Sequence, residues 1–169
     1  RLMILNQIHS SKIVEIDETH LGRMVYADGM ITSRRNILLG ILTADCAPVL
    51  FCGKENIAIL HVGWQGLIKG IIDHLISLFI KKKENLNYIS CIIGPHLSYK
   101  SFRVKKDFVD IINKTRPLFL NYIKKNRGIL HFNFFECLLR NIHDNGINKV
   151  FSKNIDTYTN SDILFSYRY

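Results

Sequence analysis

No stretch of this chain approaches the roughly 20 apolar residues that a bilayer-spanning helix needs. Its longest apolar run, around Leu75 to Ile80, is broken by Ser77 and reads as part of a soluble helix. Internal repeats, low-complexity tracts and linkers are also missing, which excludes a repeat array or a string of small modules. The four cysteines, Cys46, Cys52, Cys91 and Cys137, lie scattered in apolar sequence with no paired spacing. That excludes a disulfide scaffold and predicts a reduced, cytoplasmic protein. Acidic residues are scarce as well, with 14 Asp and Glu against 23 Lys and Arg, for a formal net charge of +9.

The basic excess gathers at Lys81-Lys82-Lys83, Lys105-Lys106 and Lys124-Lys125-Asn126-Arg127. Such a balance admits nucleic acid or phosphorylated small molecules as partners. Lys, Asn and Ile are abundant throughout, and the clusters fall at expected helix ends and loops, where solvated lysines are ordinary. Charge alone decides nothing here. With 169 residues and 47% hydrophobic content, the chain can bury one good core, so a single domain spanning 1–169 is expected. It begins at Arg1 rather than Met, which reads as the trimmed start of something longer.

In order along the chain, Leu2 to His9 is extended and apolar, Ser10-Ser11 turns, and Lys12 to Ile16 alternates as a half-buried strand. Asp28-Gly29 reads as a turn, and Ile37 to Thr43 as a buried strand. A hairpin follows, with Val49–Cys52 and Ile57–Leu60 joined by the turn at Gly53 to Asn56. The spacing predicts a helix over Leu67 to Lys82, where Leu67, Ile71, Leu75 and Leu78 share one face. Tyr88 to Ile93 is a strand stopped by Gly94-Pro95. Val104 to Asn113 and Pro117 to Lys125 read as helices, Ile129 to Phe132 as a strand, Phe134 to Asp144 as a helix capped by Asn145-Gly146, and Lys149 to Ser152 as a strand. Strands and helices mix without strict alternation. The pattern therefore predicts an α+β fold, a single layered domain with mixed, largely antiparallel sheets flanked by helices.

Chemistry concentrates in Thr43-Ala44-Asp45-Cys46-Ala47-Pro48 and His61-Val62-Gly63-Trp64-Gln65-Gly66, the two open ends of the hairpin. Cys46 and His61 would meet there, and His9 ends the first extended segment. The separations, 36 intervening residues and then 14, do not match zinc-finger spacing. Three ligands on separate strand ends do suit a catalytic metal site with an open fourth position. Packing for the cysteine and strand capping for the histidines are the bland alternatives, and spacing leaves both open. Asp45 could orient a ligand or work as an acid–base group, and Trp64 could stack on a base or sit in the core. Gly63 to Gly66 at a helix start could hold an anion or simply turn the chain.

Six blocks then carry a family resemblance: Gln7-Ile8-His9, Asp28-Gly29 with Ile31-Thr32, Thr43 to Pro48, His61-Val62-Gly63-Trp64, Ile93-Gly94-Pro95, and Phe165-Ser166-Tyr167-Arg168. In this order they resemble the signature series of the laccase-domain or multicopper polyphenol oxidase family, also known as peptidoglycan-editing factor and purine nucleoside phosphorylase. The resemblance spans nearly the whole chain. It implies a zinc site at His9, Cys46 and His61, and a layered fold similar to that of deamidating toxins with a Cys–His pair. It also implies phosphorolysis of adenosine, inosine, guanosine and methylthioadenosine, with adenosine deamination beside it.

On that basis the expected catalytic residues are His9, Asp45, Cys46 and His61. Gln7, Gly63, Trp64, Gln65 and Arg168 are expected to touch substrate, a purine nucleoside with phosphate. This chain departs from the family pattern at Gln65, where an Arg is usual, at Asp156, where a Cys is usual, and at Phe102, where a Tyr is usual. It also stops at Tyr169, before a second Arg and a Thr-Gly-Arg segment that family members carry.

Three rival functions compete with this one. A copper polyphenol oxidase needs many more histidines than seven, none of which forms a His-x-His pair here. A Cys–His hydrolase of peptidoglycan precursors would use Cys46 as nucleophile and His61 as base. A non-enzymatic nucleic-acid binder would need aromatics interleaved with basic clusters on an exposed sheet, whereas the clusters are expected beside helices. No membrane partner and no nucleic acid are therefore expected.

Overall fold

The computed structural model describes all of residues 1–169. Its first strands are β1 (Leu2–Ile4), β2 (Ile13–Glu15), β3 (Gly29–Thr32) and β4 (Leu38–Gly40). The hairpin β5 (Ala47–Cys52) and β6 (Ile57–Val62) follows, then helices α1 (Trp64–Ile68) and α2 (Ile71–Lys81) and strand β7 (Ser90–Ile93). The rest comprises β8 (Arg103–Val104), α3 (Lys106–Thr115), β9 (Ile123–Asn126), β10 (Ile129–Phe132), α4 (Phe134–Asp144) and β11 (Lys149–Ser152).

The expected hairpin is the centre of a six-stranded sheet ordered β11-β7-β5-β6-β3-β2. Its four inner strands run antiparallel, while β11 on β7 and β2 on β3 pair in parallel. Two small sheets complete the fold, a parallel β1-β4 pair and an antiparallel β8-β10-β9 sheet. The result is the mixed, helix-flanked α+β domain read from the pattern.

Strand alternation explains how the layers form. Ala47, Val49 and Phe51 of β5 and Ala58, Leu60 and Val62 of β6 are all buried. They face α2 and α4, which add Leu75, Phe79, Leu138 and Ile142 to a main core of 29 buried residues. Burial of this kind contributes about 25 cal/mol per Å² of apolar surface. Neighbouring residues of β3 serve opposite faces. Ile31 joins the main core, and Met30 joins a smaller one with Met3, Leu5, Ile16, Ala27 and Ile37.

Four expectations need correction. The strand expected over Ile37 to Thr43 is ordered as strand only at Leu38–Gly40, because it pairs with a three-residue partner. Asp28-Gly29 is no turn: Gly29 opens β3, paired with Leu60 and Ile13. The helix expected from Leu67 to Lys82 is broken at Gly70, whose φ of +82 lies in the left-handed region. That backbone conformation favours glycine, and a Cβ there would in addition displace the Asp73 carboxylate, 2.8 Å away. What remains before the break is a five-residue turn of helix, too short for a sizeable dipole at Gly63–Gly66.

The fourth correction concerns Pro117 to Lys125. Pro117–Tyr122 is 3₁₀ helix, and the chain then enters strand β9, where Lys124 pairs with His131 and Lys125 with Leu130. Arg127 and Gly128, with φ of +47 and +83, form the two-residue turn to β10. Long-range pairing overrides the local helical pattern there.

The far end of the central hairpin is held by Glu84. Its carboxylate accepts from the backbone N–H groups of Lys54, Glu55 and Asn56 and from Asn56 Nδ2, at 2.8–2.9 Å. Burial opposes its charge, but these donors together hold its pKa below the usual value. Glu84→Ala would leave three turn N–H groups without that partner, at a cost of about 1–2 kcal/mol. We expect a thermal midpoint lower by roughly 3–6 °C in calorimetry. An unchanged midpoint would show that water replaces the carboxylate fully.

Candidate active site

The open end of the β5–β6 hairpin brings together residues from three parts of the chain. Cys46 directly precedes β5, and His61 lies in β6, opposite Pro48. His9 is not at a strand end, as expected, but in a loop beyond β1, with a left-handed φ of +54. The donor atoms of His9, Cys46 and His61 all lie within 4.8 Å of one another. Cys46 Sγ stands 4.0 Å from His9 Nε2, and the two imidazoles meet edge-on with centroids 4.9 Å apart.

What holds this loop is Asp28, which is fully buried. Its carboxylate accepts from the backbone N–H groups of Ile8, His9 and Ser10, at 2.6–3.3 Å, and from Ser10 Oγ at 2.7 Å. His61 Nδ1 lies 2.9 Å from the same carboxylate. Burial alone would raise the Asp28 pKa, but the hydrogen bonds from His61, Ser10 and His9 outweigh it and keep the group ionised. For His61 the balance goes the other way. Burial is the largest influence and lowers its pKa against the pull of Asp28, so the ring is neutral near pH 7. A neutral ring donating from Nδ1 to Asp28 leaves Nε2 free as a lone-pair donor. That is the carboxylate–histidine pattern found behind metal ligands.

Gly63 makes room for the cluster. A Cβ there would lie 2.9 Å from Cys46 Sγ and 3.4 Å from His9 Cδ2. Burial, with Asp45 and Asp28 nearby, pushes the Cys46 thiol up to about 11. One thiol and two imidazoles form a soft-to-borderline donor set that suits zinc or copper. Tetrahedral zinc would bring such donors to about 3.3–3.6 Å of one another. The present separations, 4.8 Å at most, are within about 1.5 Å of that closure, and His9 is exposed at the mouth of the cluster. The residues fit a metal ion.

Above the cluster opens a cavity of about 850 Å³, walled by Trp64, Phe102, Phe134, Phe165 and Tyr167. Every sequence-expected site residue lines it: Gln7, His9, Asp45, Cys46, His61, Gly63, Trp64, Gln65 and Arg168. Several polar groups are already engaged. Gln7 spends both ends of its amide on the backbone of Leu42, at 2.7 and 2.8 Å. Asp45, with φ of +83, accepts from Thr157 Oγ1 and Ser166 Oγ, both at 2.7 Å, and from Arg168 N–H at 3.1 Å. It therefore ties the C-terminal segment to the cysteine loop. Arg168 sets its guanidinium over Phe102, 5.1 Å from the ring centroid, and donates to the Arg103 carbonyl. Trp64 is half-buried against Phe108, and Gln65 faces the cavity without a charge. Asp156 lies outside the wall and gathers Ser98 and Ser101 hydroxyls instead.

The sequence reading missed Asp28 as a site residue, because Asp-Gly is a strong local turn signal whatever the carboxylate does. Only its block in the family series marked it. Phe134 was assigned to a helix start and not to the site, although helix starts commonly border cavities.

Together these features define a layered α+β domain with a His–Cys–His donor cluster on the floor of an aromatic-walled cavity. The chain belongs to the family described as multi-copper polyphenol oxidoreductase laccase, whose model matches residues 1–169. It is similar to a purine nucleoside phosphorylase of Rickettsia prowazekii, 35% identical over 165 residues that cover 94% of this chain and 67% of that protein. The purine nucleoside phosphorylase YfiH of Escherichia coli is 26% identical over 168 residues, covering 97% of this chain and 67% of its own length. Among solved structures, a Neisseria meningitidis protein superposes with a TM-score of 0.87 at 26% identity, over 99% of this chain and 69% of that one. YlmD from Geobacillus stearothermophilus shares the fold, with a TM-score of 0.89 over 99% of this chain and 68% of its own, at 22% identity.

Asp28→Asn keeps the shape but removes the charge and one acceptor, which should cost about 2–3 kcal/mol at pH 7. Because folding lowers the Asp28 pKa, its contribution is present above the unfolded value of 3.8 and fades as pH falls through the folded one. The stability gap between the two proteins, read by urea denaturation in chelator, should thus be widest near neutrality and shrink below about pH 4. A gap independent of pH would mean the loss is packing, not charge.

Proposed function

We propose that this domain is a zinc-dependent purine nucleoside phosphorylase that also deaminates adenosine, with His9, Cys46 and His61 as the zinc ligands. The observation that carries this reading is the three-donor cluster, with Asp28 behind His61, on the floor of a cavity sized for a nucleoside. The names of the similar proteins support the phosphorylase half. Zinc would supply Lewis acidity at that floor.

The chain's own groups do the rest. Trp64, Phe165 and Tyr167 offer ring faces for a purine. Arg168 is the cation lining the cavity and would hold phosphate near the anomeric carbon. In phosphorolysis a phosphate oxygen bonds to C1′ as the C1′–N9 bond breaks, and the purine leaves with a proton. In deamination water adds at C6 and ammonia leaves. Gln65 faces the cavity where a second cation would strengthen phosphate binding, so phosphorolysis should be slow relative to deamination. Asp45 serves as a clamp, holding Arg168 through its main chain. All four cysteines are free thiols, consistent with a reducing compartment such as the cytoplasm.

The hydrolase reading needs a Cys46 thiolate, and a thiol pushed up to about 11 is a poor nucleophile at neutral pH without a metal. A multicopper oxidase needs several ligand clusters, and the chain assembles one group of three donors.

Two experiments bear on this. We expect one zinc per chain by elemental analysis, lost in both Cys46→Ser and His9→Ala together with hypoxanthine release from inosine and ammonia release from adenosine. Because the free Cys46 thiol is protonated at pH 7, loading zinc into chelated protein should release close to one proton, followed with a pH indicator. Full turnover in His9→Ala, or a covalent adduct on Cys46 by mass spectrometry, would overturn the zinc reading. Separately, Gln65→Arg should lower the phosphate KM by roughly tenfold, the effect of about 1.4 kcal/mol, while leaving deamination within about twofold. Equal change in both activities would remove Gln65 from the phosphate site.

A further inference from the structure

Strand β9 alters the meaning of the basic clusters. With Ile123–Asn126 in a sheet and not a helix, Lys124 lies abreast of His131, which in turn lies abreast of Arg103 on β8. Lys100, Arg103, Lys105 and Lys106, in and around β8, are all exposed. Lys124, Lys125 and Arg127, in β9 and the turn after it, are exposed as well. These are seven of the chain's 23 Lys and Arg, and the segments Tyr99–Lys106 and Tyr122–Asn133 hold no acidic residue between them. None of the seven takes part in any of the six ion pairs of the structure. The next acid along, Asp107, turns its carboxylate to the Phe108 N–H. Like charges set across a sheet repel one another, so the arrangement opposes folding locally.

An aromatic accompanies the charge. Tyr99 is half-buried and packs on His131 with centroids 5.6 Å apart. Most of these cations lie on a short three-stranded sheet and its turns, and only Lys106 belongs to a helix, at its first residue, so no helix presents a row of them to a duplex groove. Neighbouring strands are about 4.8 Å apart, so the β8 and β9 backbones that carry Arg103 and Lys124 lie roughly 10 Å apart across the sheet. That spread is too wide for one converging phosphate site and suits phosphates further along a strand. We propose that the β8-β10-β9 sheet binds the backbone of single-stranded nucleic acid along its outer face and around its β9 edge, with Arg103 and Lys124 on that face, Lys125 and Arg127 at the edge strand and its turn, all four on phosphates, and Tyr99 against a base. The Arg168–Arg103 hydrogen bond joins this sheet to the cavity wall, so a bound strand would run past the cavity mouth.

The test is fluorescence anisotropy of a labelled 12-nucleotide oligo(U) with the full chain as purified, and it needs no turnover and no particular metal. Neutralising three to four phosphates predicts a slope of log affinity on log salt of about −2 to −3, or roughly 20- to 50-fold weaker binding at 200 than at 50 mM salt. Lys124→Gln/Lys125→Gln/Arg127→Gln removes only exposed, unpaired charge. It should flatten the slope by about 2 and weaken low-salt binding at least tenfold. The control Lys54→Gln/Lys81→Gln/Lys83→Gln loses the same charge elsewhere and should bind as the parent does. Tyr99→Ala should weaken binding with the slope unchanged. Equal loss in the two triple variants, no binding at 50 mM salt, tighter binding of a matched duplex, or displacement by a mononucleotide at the same phosphate concentration would each overturn the proposal.

Discussion

One buried carboxylate sets the geometry on which the rest of the site depends. Asp28 is fully enclosed, yet it stays ionised because five donors converge on it. An isolated charge in such a place would cost several kcal/mol, so the donors must come from the fold and stay in place. Three are consecutive backbone N–H groups of the loop bearing His9, and one is the ring of His61. A single group thus fixes a loop, a tautomer and the approach of two imidazoles. Its own position follows from the main chain: His61 N–H donates to the Asp28 carbonyl at 2.7 Å, so β3 and β6 place donor and acceptor together.

The same device recurs wherever this basic chain needs an irregular segment held. Glu84 gathers the hairpin turn, Asp156 gathers the loop at Ser98 and Ser101, and Asp45 gathers Thr157, Ser166 and Arg168. Charge-assisted hydrogen bonds are about twice as strong as neutral ones, so a few acids organise long loops. None of these four carboxylates lies in the β8-β10-β9 sheet, whose exposed cations take part in no ion pair.

The central hairpin and the α4 helix could be read from the chain because their signals are local: alternating apolar residues, a turn between them, a capping glycine after the helix. The three donors could be singled out because Cys46 and His61 flank that hairpin. Other features are set by contacts distant in sequence. Asp28-Gly29 has the local chemistry of a turn, and only the pairing of Gly29 with Leu60 makes it a strand start. Pro117 to Lys125 has a helical pattern, but Ile123 meets Phe132 across a two-residue turn and the strand wins. The break at Gly70 had a local signal, an isolated glycine inside a helical stripe, and the apolar stripe on either side masked it. Burial of the aromatic cavity wall depends on how layers meet, which periodicity does not encode.

Backbone strain at the site shows how much of it exists before any ligand arrives. His9 and Asp45 are both non-glycine residues with left-handed φ, and they sit on either side of the donor cluster. Each such residue costs on the order of 1–3 kcal/mol and persists only where the surroundings over-determine it. Both are over-determined here, His9 by the hydrogen bond from its own N–H to Asp28 and by Lys69 Nζ on its carbonyl, Asp45 by the three donors on its carboxylate. The strain therefore resides in the protein and is offset by the protein. A metal ion entering such a cluster meets donors already within about 1.5 Å of their bonding positions. Little of its binding energy would then be consumed in ordering the loops.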